Sequence, residues 1–157
     1  MAENATGQDK QFAIQKLYLK DVSFESPNSP AIFTESWEPR VDFNLNSGAQ
    51  SLGNDHFEAT LTITATAKLG ENTAYLVEIC QAGIFTLSNF NEQELGHMLG
   101  TYCLNILYPF AREAVSDLVI KGGFPPLLLA PVNFDALYAQ HLAQQQAGQQ
   151  AAPHTLN

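Results

Sequence analysis

From Met98 to Ala111 the chain is apolar on nearly every side of what reads as one helix: Met98, Leu99, Tyr102, Cys103, Leu104, Ile106, Leu107, Tyr108 and Phe110. A helix lying on a single sheet needs an apolar stripe only a little over roughly 100° wide, and one that is apolar all round must be covered on several sides. No run reaches the roughly 18 apolar residues of a membrane span, so lipid is not the cover. A second copy of the chain is the simplest remaining one, which makes the protein an expected homo-oligomer. Gly96 and Gly100, four residues apart on one face, would let a neighbouring helix approach closely and lend minor support.

The helical run has clear ends. Asn91 precedes Glu92-Gln93-Glu94, a cap followed three residues later by Glu, with acids in the positive first turn. Gly122-Gly123 closes it after Lys121. Pro109 removes the bond to the carbonyl of Asn105, so a kink is expected there. Asn133-Phe134-Asp135 opens a second, shorter helix that fades into QQQAGQQAAP, a low-complexity tail expected to be disordered.

Strands come first. Phe12 to Phe24 reads as a strand with one broken alternation, in which Phe12, Ile14, Tyr18, Val22 and Phe24 share one parity and Asp21, Ser23 and Glu25 the other. The prolines of SPNSPAIFTES disfavour a helix and predict an extended crossover. Trp37 to Leu45 alternates as an edge strand, since it carries Pro39, and NSGAQSLGND reads as a flexible polar loop. His56 to Leu69 holds the cleanest period of two: Phe57, Ala59, Leu61, Ile63, Ala65 and Ala67 against Glu58, Thr60, Thr62, Thr64, Thr66 and Lys68. After a hairpin at Gly70-Glu71-Asn72, Thr73 to Leu87 sets Tyr75, Val77, Ile79 and Phe85 on one face and the odd pair Leu76 and Glu78 on the other. Strands followed by helices make the class α+β. The expected architecture is a four-stranded antiparallel sheet, Greek-key-like, followed by a long kinked helix and a shorter C-terminal one. Both helices lie on one sheet face and are shared with other subunits.

Charge narrows the partners. Seven Lys+Arg against 16 Asp+Glu give a net charge of −9. No basic surface is available for nucleic acid or for an anionic membrane; basic partners, or simple solubility, remain. The start, MAENATGQDK, has neither the basic nor the apolar run of a secretory leader, and Cys80 and Cys103 inside apolar segments read as reduced thiols of a cytosolic protein.

Chemistry is hard to find. The four His residues show no metal-binding spacing, and His97 and Cys103, six apart, fall on different helix faces. No nucleophile elbow, phosphate loop or dinucleotide fingerprint is present, and neither metal nor cofactor is expected. What stands out is apolar material in connections. Ile32 and Phe33 lie in the crossover that ends at Trp37, and Phe124, Leu127, Leu128 and Leu129 lie in GFPPLLLAPVNF. Connections are normally polar. Either these segments lie down on the core as lids, or they frame an apolar groove for segments of another chain.

The stretches DVSFESPNSP, AYLVEICQAGIF and LGTYCLNILYPFAREAVSDLVIKGGFPPLLLAPVNFDALY resemble the SecB family of protein-export chaperones, over roughly residues 11–146. The resemblance implies a single domain there; the small, polar residues 1–10 before it and the low-complexity tail at 147–157 are expected to be disordered. It implies a cytosolic homotetramer, a dimer of dimers, that holds unfolded secretory precursors without ATP and delivers them to the motor ATPase SecA. The family's SecA-docking surface falls on Asp21, Glu25, Leu76 and Glu78. Val77, Ile79 and Gln81 match positions near its subunit contacts, with Leu99, Tyr102 and Ile106 of the helix beside them. The client groove falls on Ile32, Phe33, Trp37, Phe124, Leu127 and Leu129. The family's tails are often acidic, and residues 144–157 here contain no acid. Two other readings are a hot-dog-type thioesterase, whose helix would come early among its strands, and a SecB-like chaperone dedicated to one partner such as an antitoxin.

Overall fold

A computed structural model describes residues 9–150. Its elements are β1 (Gln11–Glu25), a 3-10 turn (Ala31–Thr34), β2 (Arg40–Gly53), β3 (His56–Leu69), β4 (Asn72–Ser88), α1 (Glu92–Gly100), α2 (Tyr102–Lys121) and α3 (Phe134–Gln150). The sheet order is β1-β4-β3-β2, all neighbours antiparallel. β2, β3 and β4 follow one another through hairpins, and β1 lies on the far side of β4, a Greek-key-like arrangement. All helices follow all strands, the α+β order that the thioesterase architecture lacks.

The period-two pattern fixes which face is wet. Leu61 and Ile63 of β3 and Tyr75, Val77, Ile79 and Phe85 of β4 point to one side and are fully buried. Against them α2 lays Cys103, Leu107, Ala111, Val115 and Val119, also fully buried. Each such large apolar side chain contributes about 1.5–3 kcal/mol when taken out of water. The other face carries the threonines of β3 with Leu76 and Glu78 of β4, and among the described residues no helix covers it.

Several local expectations are corrected. The polar segment 46–55 is not a loop: β2 continues to Gly53, pairing Asn46 with Thr62 and Ser51 with Phe57. β2 is an edge strand and its residues 46–53 are exposed on both sides, so the alternation vanishes although the pairing does not. Asn54 and Asp55, both at positive φ, make the tight turn. Trp37 precedes β2 rather than opening it, and the crossover holds one turn of 3-10 helix after Pro30, whose φ suits a helix start.

In β1 the alternation breaks twice, between Ile14 and Lys16 and between Leu19 and Asp21. Tyr18 therefore pairs with Ala82 on the outer face, apart from Phe12 and Phe24, while Leu17 and Leu19 face the helix side. The helix is interrupted at Thr101 rather than at Pro109, which sits inside α2. Thr101 donates its hydroxyl to the His97 carbonyl at 2.7 Å and leaves helical dihedrals, with φ −128° and ψ −70°. Gly96 and Gly100 receive α3 of the same chain. A Cβ on Gly100 would stand 2.6 Å from Cδ2 of Tyr138 and one on Gly96 3.2 Å from its hydroxyl. α3 is helical through Gln150 and takes in the first four residues of the expected tail; residues 1–8 and 151–157 of the expected disordered ends lie outside the described residues.

Candidate binding faces

Two surfaces on opposite sides of the sheet carry the residues singled out from sequence. On the outer face β1 and β4 are neighbours, and their register sets Asp21 opposite Cys80, Ser23 opposite Glu78 and Glu25 opposite Leu76. Asp21, Glu25, Leu76 and Glu78 are all exposed, so the structure brings the four together as an acidic surface around one apolar side chain. Thr64 and Thr66 of β3 border it, paired with Glu78 and Leu76. A flat polar rim with a central leucine suits a basic segment that also carries an apolar anchor.

The apolar connections meet at one end of the sheet. Phe124 is buried with its ring centroid 4.9 Å from Phe33, 5.5 Å from Trp37 and 5.1 Å from Tyr75. Phe24 stacks on Tyr75 at 6.0 Å. Ile32 is buried, Trp37, Leu127 and Leu129 are half-buried, and Phe33 is 49% exposed. Ile32 and Phe124 thus lie down on the core as lids, while Phe33 stays open beside them. Leu128, at 81%, is the most exposed large apolar residue among the described ones. Gly122 and Gly123 make this possible. A Cβ on Gly122 would lie 2.2 Å from Cζ of Phe24, and Gly123 turns the chain at φ +90° against Phe33. A further opening of about 300 Å³ lies below α3, walled by Leu45, Leu61, Leu104, Phe134, Leu137 and Tyr138.

The residues expected near subunit contacts divide. Val77, Ile79 and Gln81 are buried within the chain and leave little side-chain surface for a second copy; Tyr102 is exposed, and Leu99 and Ile106 are half-buried. Beside Tyr102 the helix-side edge of the sheet exposes Ile14, Leu19 and Val22, and α2 exposes Phe110. α2 therefore keeps an uncovered apolar side, as its composition requires.

Sequence reasoning missed two features. Tyr75 is the centre of the aromatic cluster, and it was assigned only to the inner face. Glu58, placed in the wet series of β3, is only 8% exposed. Lys20 Nζ donates to its Oε1 at 2.8 Å, Gln50 Nε2 donates to the same oxygen at 3.2 Å, and the Tyr18 hydroxyl donates to Oε2. These bonds, that of Lys20 first and Tyr18 next, hold the Glu58 carboxyl below the usual carboxylate range. Burial, reinforced by Glu58, pushes the Tyr18 phenol up to about 12. Elsewhere, burial pushes the Cys103 thiol up to about 12, far from a nucleophile's range. Among the described residues no cluster of three His, Cys, Asp or Glu could hold a metal ion, and no helix is long and apolar enough to cross a membrane.

Comparison with known proteins agrees with this arrangement. The family described as preprotein translocase subunit SecB matches residues 5–145. A protein-export protein SecB of Methylococcus capsulatus is 67% identical over 98% of this chain and 100% of its own. One of Nitrosococcus oceani is 56% identical over 94% of this chain and 95% of its own. Among solved structures, a SecB-like chaperone of Mycobacterium tuberculosis, in complex with an antitoxin peptide, shares the fold with a TM-score of 0.65. It is 18% identical, and the match covers 78% of this chain and 91% of that one. An antiparallel sheet with one open acidic face and its helices on the other, matched by relatives this similar over their whole length, leaves one conclusion: the chain belongs to the SecB family.

Proposed function

We propose that this protein is an ATP-independent chaperone of protein export: it holds unfolded precursors and passes them to SecA. It is not an enzyme. The observation that carries the reading is the segregation of surfaces. Exposed apolar side chains gather on the helix side and at the aromatic end, while the outer face holds the acidic patch around Leu76. Precursor segments occupy the apolar end beside Phe33, Trp37 and Leu128, and many weak contacts on one assembly supply avidity without an energy source. SecA docks through a basic segment on Asp21, Glu25, Leu76 and Glu78.

The active form is a cytoplasmic homotetramer, a dimer of dimers. The uncovered side of α2 supports this, because Tyr102, Phe110, Leu19 and Val22 form an apolar surface that a second copy would bury. Four copies would multiply the −9 of one chain, drawing in precursor segments that are basic as well as apolar.

The test is to present the protein with an unfolded precursor and with SecA, comparing wild type with Glu78→Lys. Precursor binding should be kept and SecA binding lost. Loss of both, with the oligomer intact, would refute two separate surfaces. Binding to several unrelated precursors is expected; dependence on a single client would make it a dedicated chaperone instead.

A further inference from the structure

β1 carries one extra residue at Gln15, and given that first shift of parity the acidic patch depends on a second. Leu19 pairs with Gln81 and Asp21 with Cys80, so two steps along β1 match one step along β4, and Lys20 is the bulge. Side chains alternate along a strand, so one inserted residue exchanges the faces of everything beyond it. Tyr18 faces outward and Leu19 inward. Without the bulge Asp21 and Glu25 would turn toward the helices, and Val22 and Phe24 toward solvent. With it, Asp21, Ser23 and Glu25 join the outer face.

The bulge is anchored from a distance. Lys20 and Tyr18 both bond Glu58, which lies on β3, two strands away from β1. The strand between them allows this. Ala82 of β4, in register with Tyr18 on one side and Thr60 on the other, faces outward and is nevertheless fully buried. A small residue there lets the β1 side chains reach across. Gln50 of β2 completes the carboxylate's partners, so Glu58 ties together three strands of the outer face. The same bond occupies the ammonium of Lys20, whose chain neighbour is Asp21. A released Lys20 would be a cation competing for the patch that a basic partner must occupy.

We propose that Glu58 is a positioning residue of the outer binding face: by holding Lys20 and Tyr18 it fixes the bulge that turns Asp21 and Glu25 outward, and it keeps Lys20 from neutralising Asp21. The inference rests on the reading of that face as the SecA-docking surface. It assigns to a nearly buried carboxylate, outside the patch, control over the affinity for a basic partner.

The experiment uses the full chain, with SecA and an unfolded precursor as separate ligands. Glu58→Gln should weaken SecA binding about tenfold, the scale of one lost charge-assisted hydrogen bond. Precursor binding and oligomeric state should be unchanged, and amide exchange should quicken over residues 20–25. The exchanged pair Lys20→Glu/Glu58→Lys should restore SecA binding, which a merely structural loss would not predict, and it carries the test if Glu58→Gln fails to fold. Wild-type SecA affinity in Glu58→Gln, or a folded exchanged pair that still binds weakly, overturns the proposal. Glu78→Lys is run alongside. If it too binds SecA normally, the docking surface lies elsewhere and the inference falls with it; if it alone loses SecA, the face is right and Glu58 has no such role.

Discussion

Phe124 sits where the loop after α2, the crossover and β4 converge, with aromatic rings on three sides. Phe124→Ala would leave a hole bounded by Phe33, Trp37 and Tyr75. Truncations of this kind cost about 3–5 kcal/mol, and urea unfolding should show it. Trp37 is the only tryptophan, 5.5 Å from Phe124, so its emission should shift to the red in the same variant. Glu58 ties the fold to pH. Its carboxyl is held below its ordinary value of 4.5, so its contribution to stability is present above that pH and is lost as pH falls from there through its folded value. Acid unfolding of Glu58→Gln should therefore be less steep in that window than wild type. The loop aromatics were legible because large apolar residues in proline-rich connections need an explanation. Glu58 was not. Its bond to Lys20 spans 38 residues and depends on a bulge, and no local pattern announces which residue of a strand will be the extra one.

Among elements, α3 is held by a narrow fit. Tyr138 lies over Gly96 and Gly100, its ring edge-on to His97 at 5.4 Å, and Asp135 stands 3.8 Å from His97 across the same gap. Gly100→Val would drive a side chain into the Tyr138 ring. Overpacking of this sort costs about 1–3 kcal/mol, but here α3 can swing away instead of the core deforming. Faster amide exchange over residues 134–148, with the sheet and α2 unchanged, is the expected result. The glycine spacing was visible in the sequence, and its use by the chain's own third helix was not, because spacing shows that a helix can approach without showing which one. Thr101 teaches a related lesson. A threonine whose hydroxyl bonds the preceding turn competes with the helix ladder, whereas Pro109 and Asn105 are both exposed, so water can take the carbonyl that the proline leaves free. The obvious breaker was tolerated and the inconspicuous residue broke the helix.

For the whole molecule, the alternation of β3 and β4 and the apolar circumference of α2 already contained the layered plan: a sheet, helices on one side, and helix surface left over. Which part of that surface stays open was decided by β1, whose two bulges could not be located from sequence. Phe110→Glu should test the leftover surface. Phe110 lies on the uncovered side of α2, so the charge should shift the sedimentation of the protein toward smaller species while its circular dichroism keeps the wild-type form. Patch and apolar end lie on opposite sides of a single sheet, so precursor and SecA need not compete for space, and a ternary complex should form on mixing all three.

β1 also forms one edge of the sheet, where unpaired N–H and C=O groups could template another strand. For a protein that handles extended, unfolded chains this is a hazard, since a client added as a fifth strand would be slow to leave. The irregularities at Gln15 and Lys20 leave no regular stretch of β1 longer than Asp21–Glu25. A client strand could zip along only a few residues before losing register. The same bulge that aims the acids outward thus keeps the chaperone from becoming a nucleus for the aggregation it exists to prevent.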